Sequence, residues 1–268
     1  MSNVRYERRG SAALLTITRP ERRNAVDDET AAELAAGFRQ FEADESARVL
    51  VLAGAGPEAF SAGADLKALA EARLPSGTTD PAEAVKGWLD ERADGPLGFT
   101  RLVSTKPTIA AISGWCLAGG LELALWCDLR IATETAKLGF TERRFGVPLI
   151  DGGTQRLPRI VGMGRALEMI LMGRIVDADE ARAWGLVNEV VPAGDHIDRA
   201  LEVGEGLARF PQETMLSDRR AALEGAGLSL VEGLALEAEL GASSVLVGLR
   251  GAARFAAGAG RGAEGAGV

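Results

Sequence analysis

The stretch "KPTIAAISGWCLAGGLELALWCD", Lys106 to Asp128, joins a strand-length apolar run, "TIAAIS", to a Gly-Gly pair and then to a second apolar run interrupted by Glu122. A short apolar segment bounded by Pro and Gly reads as a buried strand. If Gly119 and Gly120 open a helix, its first turn carries unpaired N–H groups and the positive end of the helix dipole. Such an end binds an anion, or a carbonyl oxygen becoming one, and glycine lets a ligand approach the backbone closely. Glu122 falls in the same first turn, with Leu121 and Leu123 beside it. Two readings stand at this point. The dipole favours an acid near a helix start whether or not anything is catalysed. An ionised carboxylate among leucines is also costly unless paired, and apolar surroundings are a standard way to raise a carboxyl pKa toward working pH.

Outward from this stretch, "AALLTIT" (12 to 18), "RVLVLAG" (48 to 54) and "DLRIAT" (128 to 133) have the same strand-like length and bounds. Between the first two lies "DDETAAELAAGFRQFEAD", in which Ala31, Leu34, Ala35, Phe38 and Phe41 recur at helical spacing behind an Asp cap. Alternation of strand and helix predicts an α/β domain. Residues 71 to 98 break the rhythm with Pro75, Pro81, Gly95 and Pro96 and read either as a lid-like insertion or as a solvated linker. Beyond about residue 160 the pattern reads as wholly helical, through "GRALEMILMG", "DADEARAWG", "DRALEVGEGLARF" and "SLVEGLALEAELGASSVLVG". The Ala/Gly-rich tail is expected to fray beyond Phe255.

The 268 residues, 47% hydrophobic, can bury a substantial core. A net charge of -8 provides no basic field of the kind that holds nucleic acid or an anionic membrane, so an anionic ligand must be held by local groups. Cys116 and Cys127 read as buried thiols, without a C-x-x-C or a neighbouring histidine to build a metal site. With no signal-peptide core and no apolar run of membrane-span length, the expected location is cytoplasmic. The single histidine, His196, sits behind Asp195 in the first turn of an expected helix, and the chain has no G-x-S-x-G elbow, which argues against a serine hydrolase.

A second carboxylate, Glu142, lies in "KLGFTERRFGVPLIDGGTQRLPR" downstream of a strand-like run. By itself it is either a catalytic group or a surface glutamate paired with Arg143 or Arg144. Asp151, ahead of Gly152 and Gly153, can be read as the cap of a helix beginning near Thr154.

Five segments in order resemble the enoyl-CoA hydratase/isomerase family, also called the crotonase superfamily: "RPERRNAV" (19 to 26), "FSAGADL" (60 to 66), "KPTIAAISGWCLAGGLELALWCD" (106 to 128), "LGFTERRFGVPLIDGGTQRLPRIVG" (138 to 162) and "GRIVDADEARAWGLVNEVVP" (173 to 192). The similarity runs from about residue 12 to about residue 255. It implies an α/β fold of the crotonase type, a spiral of ββα repeats over residues 1–195, with a helical C-terminal subdomain over 196–268 that builds homotrimers or dimers of trimers. It implies an acyl-CoA thioester as substrate, coenzyme A entering as part of that substrate, with no separate cofactor and no metal.

The resemblance maps an oxyanion hole onto the backbone N–H groups of Ala64 and Gly119, and the paired catalytic glutamates of hydratases onto Glu122 and Glu142. Glu122 would orient and deprotonate water, and Glu142 would donate a proton at C2. Arg22, Arg23 and Lys67 are candidates for the phosphates of CoA. Ala25, Ala62, Asp65, Leu66, Trp115, Leu117, Gly120 and Asp151 complete the expected substrate contacts, and Trp88 and Leu89 are candidate walls of the acyl pocket. The expected reaction is hydration of a trans-2-enoyl-CoA. The alternatives are Δ3,Δ2-enoyl-CoA isomerisation, another acyl-CoA reaction of the same site, or a non-catalytic acyl-CoA-binding homologue. The sequence departs from the family pattern at "VPLIDGGT", where Leu149, Ile150 and Asp151 replace a small loop, and at Ala118, where a third glycine is common. The extra carboxylate of Asp151 would narrow the pocket or redirect the chemistry.

Overall fold

The computed structural model describes residues 2–71 and 80–259. Its strands are β1 (Val4–Arg9), β2 (Ala12–Ile17), β3 (Val49–Gly54), β4 (Ala59–Ser61), β5 (Thr108–Ile112), β6 (Trp115–Leu117), β7 (Leu129–Thr133), β8 (Lys137–Gly139), β9 (Ile175–Asp177) and β10 (Glu189–Val191). The helices are α1 (Asp28–Ala43), α2 (Leu66–Glu71), α3 (Pro81–Asp90), α4 (Gly119–Trp126), α5 (Gly153–Val161), α6 (Met163–Met172), α7 (Ala178–Ala183), α8 (His196–Arg209), α9 (Gln212–Glu224), α10 (Leu230–Ala242) and α11 (Val245–Arg254). No helix among the described residues is long and apolar enough to cross a membrane.

Two sheets result, one in the order β1-β2-β3-β5-β7-β10 and one in the order β4-β6-β8-β9. The consecutive pairs β3/β4, β5/β6 and β7/β8 each give their first strand to the large sheet and their second to the small one. Within each sheet these strands pair in parallel. The chain thus advances one strand in both sheets per turn, which is the spiral of ββα repeats that the family resemblance implied. Antiparallel pairs, β1 with β2 and β8 with β9, end the sheets.

The apolar runs are continuous because the large sheet is covered on both faces. Ala13, Leu15, Ile17, Leu50, Leu52, Ala110, Ile112 and Ala132 pack into one cluster with α1 and α4. Their neighbours Ala12, Leu14, Val49, Val51, Ala53, Ile109, Ala111 and Ile131 form the other cluster, closed by Ala200, Ile197 and Leu201 of α8. Core packing therefore extends past residue 195 into α8. Asp27 caps α1 as expected, its side chain accepting from the Thr30 N–H at 2.9 Å.

The chain beyond residue 160 is not wholly helical: β9 joins the small sheet and β10 the large one. Each has only three residues, too few to show a period. The single C-terminal pattern "SLVEGLALEAELGASSVLVG" breaks at Ser243 and Ser244 into α10 and α11. The irregular insertion is partly packed, since Ala84 and Leu97 are buried, while its residues 72–79 and the tail 260–268 lie outside the described residues.

Candidate active site

The loop after β4 is shaped by buried polar groups. Asn24, fully buried with φ 53°, donates from Nδ2 to the carbonyls of Ala55 and Ala59 at 3.0 and 2.7 Å. Ser61 Oγ donates to the Asn24 carbonyl at 2.8 Å and accepts from the Gly63 N–H at 3.1 Å. Arg19 pairs with Asp27 at 2.8 Å and Asp65 at 3.1 Å. A short bridge runs from the Val26 N–H to the Gly63 carbonyl and from the Asp65 N–H to the Val26 carbonyl, both at 2.8 Å. That register leaves the Ala64 N–H between them with no hydrogen-bond acceptor among the described residues.

The junction of β6 and α4 meets this loop. Ala118, at φ 51° and ψ -125°, turns the chain so that Gly119 begins the helix with its N–H likewise uncommitted among the described residues. A Cβ on Gly63, itself at φ +84°, would lie 2.5 Å from the Gly119 nitrogen. The two N–H groups expected to form an oxyanion hole therefore belong to backbones in close contact. Gly120 serves a different purpose from the expected ligand approach: a Cβ there would lie 2.1 Å from the Ser61 carbonyl oxygen, so its missing side chain seats α4 on β4.

Glu122 is only 3% exposed. Its Oε1 accepts from the Asp151 N–H at 3.0 Å and the Gly153 N–H at 2.8 Å, while Oε2 has no hydrogen bond among the described residues. Burial pushes its pKa up to about 7, the N–H groups of Gly153 and Asp151 opposing the rise and the carboxyls of Asp151 and Glu142 adding to it. Glu142, 5% exposed, stands in a short 3-10 turn, Thr141–Phe145, that follows β8. Neither of its carboxylate oxygens has a hydrogen-bond partner among the described residues. Burial raises its pKa, opposed by its own backbone N–H and by the charge of Arg143. It is thus a buried group beside Glu122's field, and the surface-pair alternative does not hold.

The remaining expected residues divide. Arg22, Arg23, Leu66 and Lys67 are exposed, and the Arg23 carbonyl accepts from the half-buried Ala62 N–H at 3.0 Å. Ala25 is buried. Asp65 is occupied structurally, accepting from the Lys67 and Ala68 N–H groups at 3.1 and 3.3 Å besides its bond to Arg19. Trp115 and Leu117 are half-buried on β6, on the side opposite Cys116. Trp88 and Leu89 are half-buried on α3, with the Arg92 guanidinium 4.4 Å over the Trp88 ring.

Asp151 does not cap α5, which begins at Gly153 with Gly152 at the cap position. Its Oδ1 accepts from the Leu97 N–H at 3.1 Å and from the Thr100 hydroxyl. Sequence reading missed Leu97, Thr100, Arg156 and the Gly153 N–H as parts of this region. Arg19, Asn24, Gly153 and Arg156 lay inside segments already singled out, but Leu97 lies within, and Thr100 just beyond, an irregular stretch that carries no periodic signal. His196 is buried far along the chain with neither ring nitrogen bonded among the described residues, and burial lowers its pKa. No group of three or more His, Cys, Asp or Glu among the described residues is arranged to hold a metal.

A spiral of ββα turns thus carries two uncommitted N–H groups and two buried carboxylates, and comparison with known proteins assigns the chain to a family. The family model for enoyl-CoA hydratase/isomerase matches residues 7–245, and the chain belongs to that family. It is 39% identical over 235 residues to a probable enoyl-CoA hydratase of Rhizobium meliloti, covering 87% of this chain and 86% of that one. It is 35% identical over 243 residues to a short-chain-enoyl-CoA hydratase of Clostridium acetobutylicum, covering 89% and 88%. The crystal structure of an enoyl-CoA hydratase of Mycobacterium marinum superposes with a TM-score of 0.83 at 30% identity, covering 96% of each chain.

Proposed function

We propose that the protein is an enoyl-CoA hydratase that adds water reversibly to a trans-2-enoyl-CoA to give the 3-hydroxyacyl-CoA. The observation that carries this reading is the pair of buried glutamates, both with raised pKa, beside the uncommitted N–H groups of Ala64 and Gly119. The thioester oxygen accepts from those two N–H groups, which stabilise the enolate that develops as C3 is attacked. Water sits between Glu122 Oε2 and Glu142. Ionised Glu122 takes one proton from the water as its oxygen bonds to C3, and Glu142 delivers a proton to C2. Holding Oε1 of Glu122 with two N–H groups keeps Oε2 aimed, which is a positioning contribution rather than a chemical one.

Coenzyme A enters as part of the substrate, and in this reading the exposed side chains of Arg22, Arg23 and Lys67 meet its phosphates. The active assembly in this reading is a homotrimer or a dimer of trimers built by the C-terminal helices, acting in the cytoplasm. The two buried, unpaired thiols suit a reducing compartment.

The test is loss of enoyl-thioester absorbance with crotonyl-CoA and a longer trans-2-enoyl-CoA. Glu122→Gln and Glu142→Gln should each lower kcat by about 10²- to 10⁴-fold. Folded wild-type protein that turns over neither substrate would sink the reading. Full isomerase activity in Glu122→Gln would point instead to isomerisation with Glu142 as the base.

A further inference from the structure

The loop 149–153 supplies both N–H groups that hold Glu122 Oε1, so whatever fixes that loop fixes the catalytic carboxylate. Three ties run from it to the segment that follows α3. Asp151 Oδ1 accepts from the Leu97 N–H at 3.1 Å and from the Thr100 hydroxyl. Arg101 Nη2 donates to the Ile150 carbonyl at 3.3 Å. Arg156 Nη1 donates to the Asp151 carbonyl at 2.8 Å, and its Nη2 donates to the Thr100 carbonyl. Gly95, at φ +112°, makes room for the clasp, since a Cβ there would lie 2.1 Å from Thr100 Oγ1 and 3.2 Å from Asp151 Oδ1.

The far side of the clasp reaches the oxyanion hole. Leu97 Cδ1 occupies the space in which a side chain at position 119 would stand, 2.6 Å from where that Cβ would lie. One carboxylate therefore fastens the loop that holds Glu122 to the residue that packs on Gly119. Asp151 is 4% exposed, and its oxygen is committed to two donors, an arrangement that suits a brace. The charged or titratable groups that bear on it are Glu122, Arg101 and Arg156.

We infer that Asp151 is a positioning residue for Glu122, a brace that sets the general base and the Gly119 oxyanion donor in one rigid unit. The inference rests on the hydratase reading, in which Glu122 is the base. A brace of this kind acts on the aim of the carboxylate, so its loss lowers kcat while leaving the CoA contacts, and with them KM, in place.

The experiment compares wild type, Asp151→Ala and Asp151→Asn by kcat, KM and pH profile for crotonyl-CoA hydration, with thermal unfolding as the folding control. In parallel, Glu122 is titrated directly by ¹³C NMR on glutamate-labelled protein, its resonance assigned through Glu122→Gln. Asp151→Ala should lose about 10²-fold in kcat with KM changed by no more than about threefold. Asp151→Asn keeps an oxygen to accept from Leu97 and Thr100, and should exceed the alanine variant by about tenfold or more. Because it removes a neighbouring negative charge, it should also move the Glu122 titration to lower pH. Folded Asp151→Asn as inactive as Glu122→Gln would overturn the inference and make Asp151 a proton-transfer group. Wild-type kcat and pH profile in Asp151→Ala would overturn it as well. If the wild type hydrates no enoyl-CoA, the hydratase reading fails by itself. The NMR titration then still decides, and a Glu122 resonance unmoved by Asp151→Asn ends the brace.

Discussion

At the scale of the residue, Glu122 is a buried carboxylate that costs the fold stability once it ionises. Its carboxyl titrates at about 7 in the folded protein, against 4.5 for an unburied glutamate. Between those two values the unfolded chain has released the proton that the folded one keeps, so stability falls as pH rises through this window. The glutamine variant, which cannot ionise but still accepts from Asp151 and Gly153, escapes the penalty. Glu122→Gln should therefore unfold at higher denaturant than wild type at pH 8, by on the order of 3 kcal/mol, with little difference at pH 4. In the proposed hydration the same titration should set the acidic limb of kcat/KM near pH 7, because there the base must be ionised to accept the proton of water. A variant no more stable than wild type at pH 8 would show that Glu122 is not buried as a charge. The glutamate was legible in the sequence as an anomaly among leucines. Its partners were not, because they are backbone N–H groups of a loop 29 and 31 residues away.

At the scale of the element, α4 is the part on which the site depends. Its start is seated by two glycines with different neighbours: Gly119 against Leu97 and Gly63, Gly120 against the Ser61 backbone. A methyl group at 120 meets a carbonyl oxygen at 2.1 Å, and backbone on both sides has no rotamer to change. Gly120→Ala should cost about 1–3 kcal/mol by thermal unfolding and lower kcat by displacing Glu122. Gly206, inside α8 with nothing within 4 Å of its added Cβ, is the contrast. Gly206→Ala should raise stability by about 0.5–1 kcal/mol and leave kcat alone. The long strands β2, β3, β5 and β7 and helices α1 and α4 could be read from their patterns. The three-residue strands β4, β6, β8, β9 and β10 could not, since their pairing is imposed by neighbours in the sheet and leaves no alternation to detect. Strand β1, "VRYERR", escaped for a different reason: it lies at the sheet edge and is largely polar.

At the scale of the whole molecule, the C-terminal helices α9 and α10 are poorly covered. Neither α9 nor α10 has a buried residue, and Leu230 and Val231 are 77% and 78% exposed, with Leu234, Leu246 and Leu249 exposed nearby in sequence. Apolar exposure on this scale suits burial against other copies, as the proposed trimer requires. Sedimentation equilibrium should give three or six times the 28.0 kDa chain mass, and Leu230→Asp should lower it. A monomeric wild type at micromolar concentration would remove the trimer from the proposal. By itself the sequence determined the class of fold, the place of Glu122 and Glu142, and the helix start at Gly119. Each of these is written along the chain itself, in an apolar run, a Gly-Gly pair or the order of five segments. Only the tertiary structure decided that Asp65 is a helix cap and an ion-pair partner, that Gly120 makes room for Ser61, and that Asp151 clasps Leu97 and Thr100. Those roles depend on which buried polar groups meet across the fold, and hydrogen bonds between distant loops leave no periodic trace along the chain.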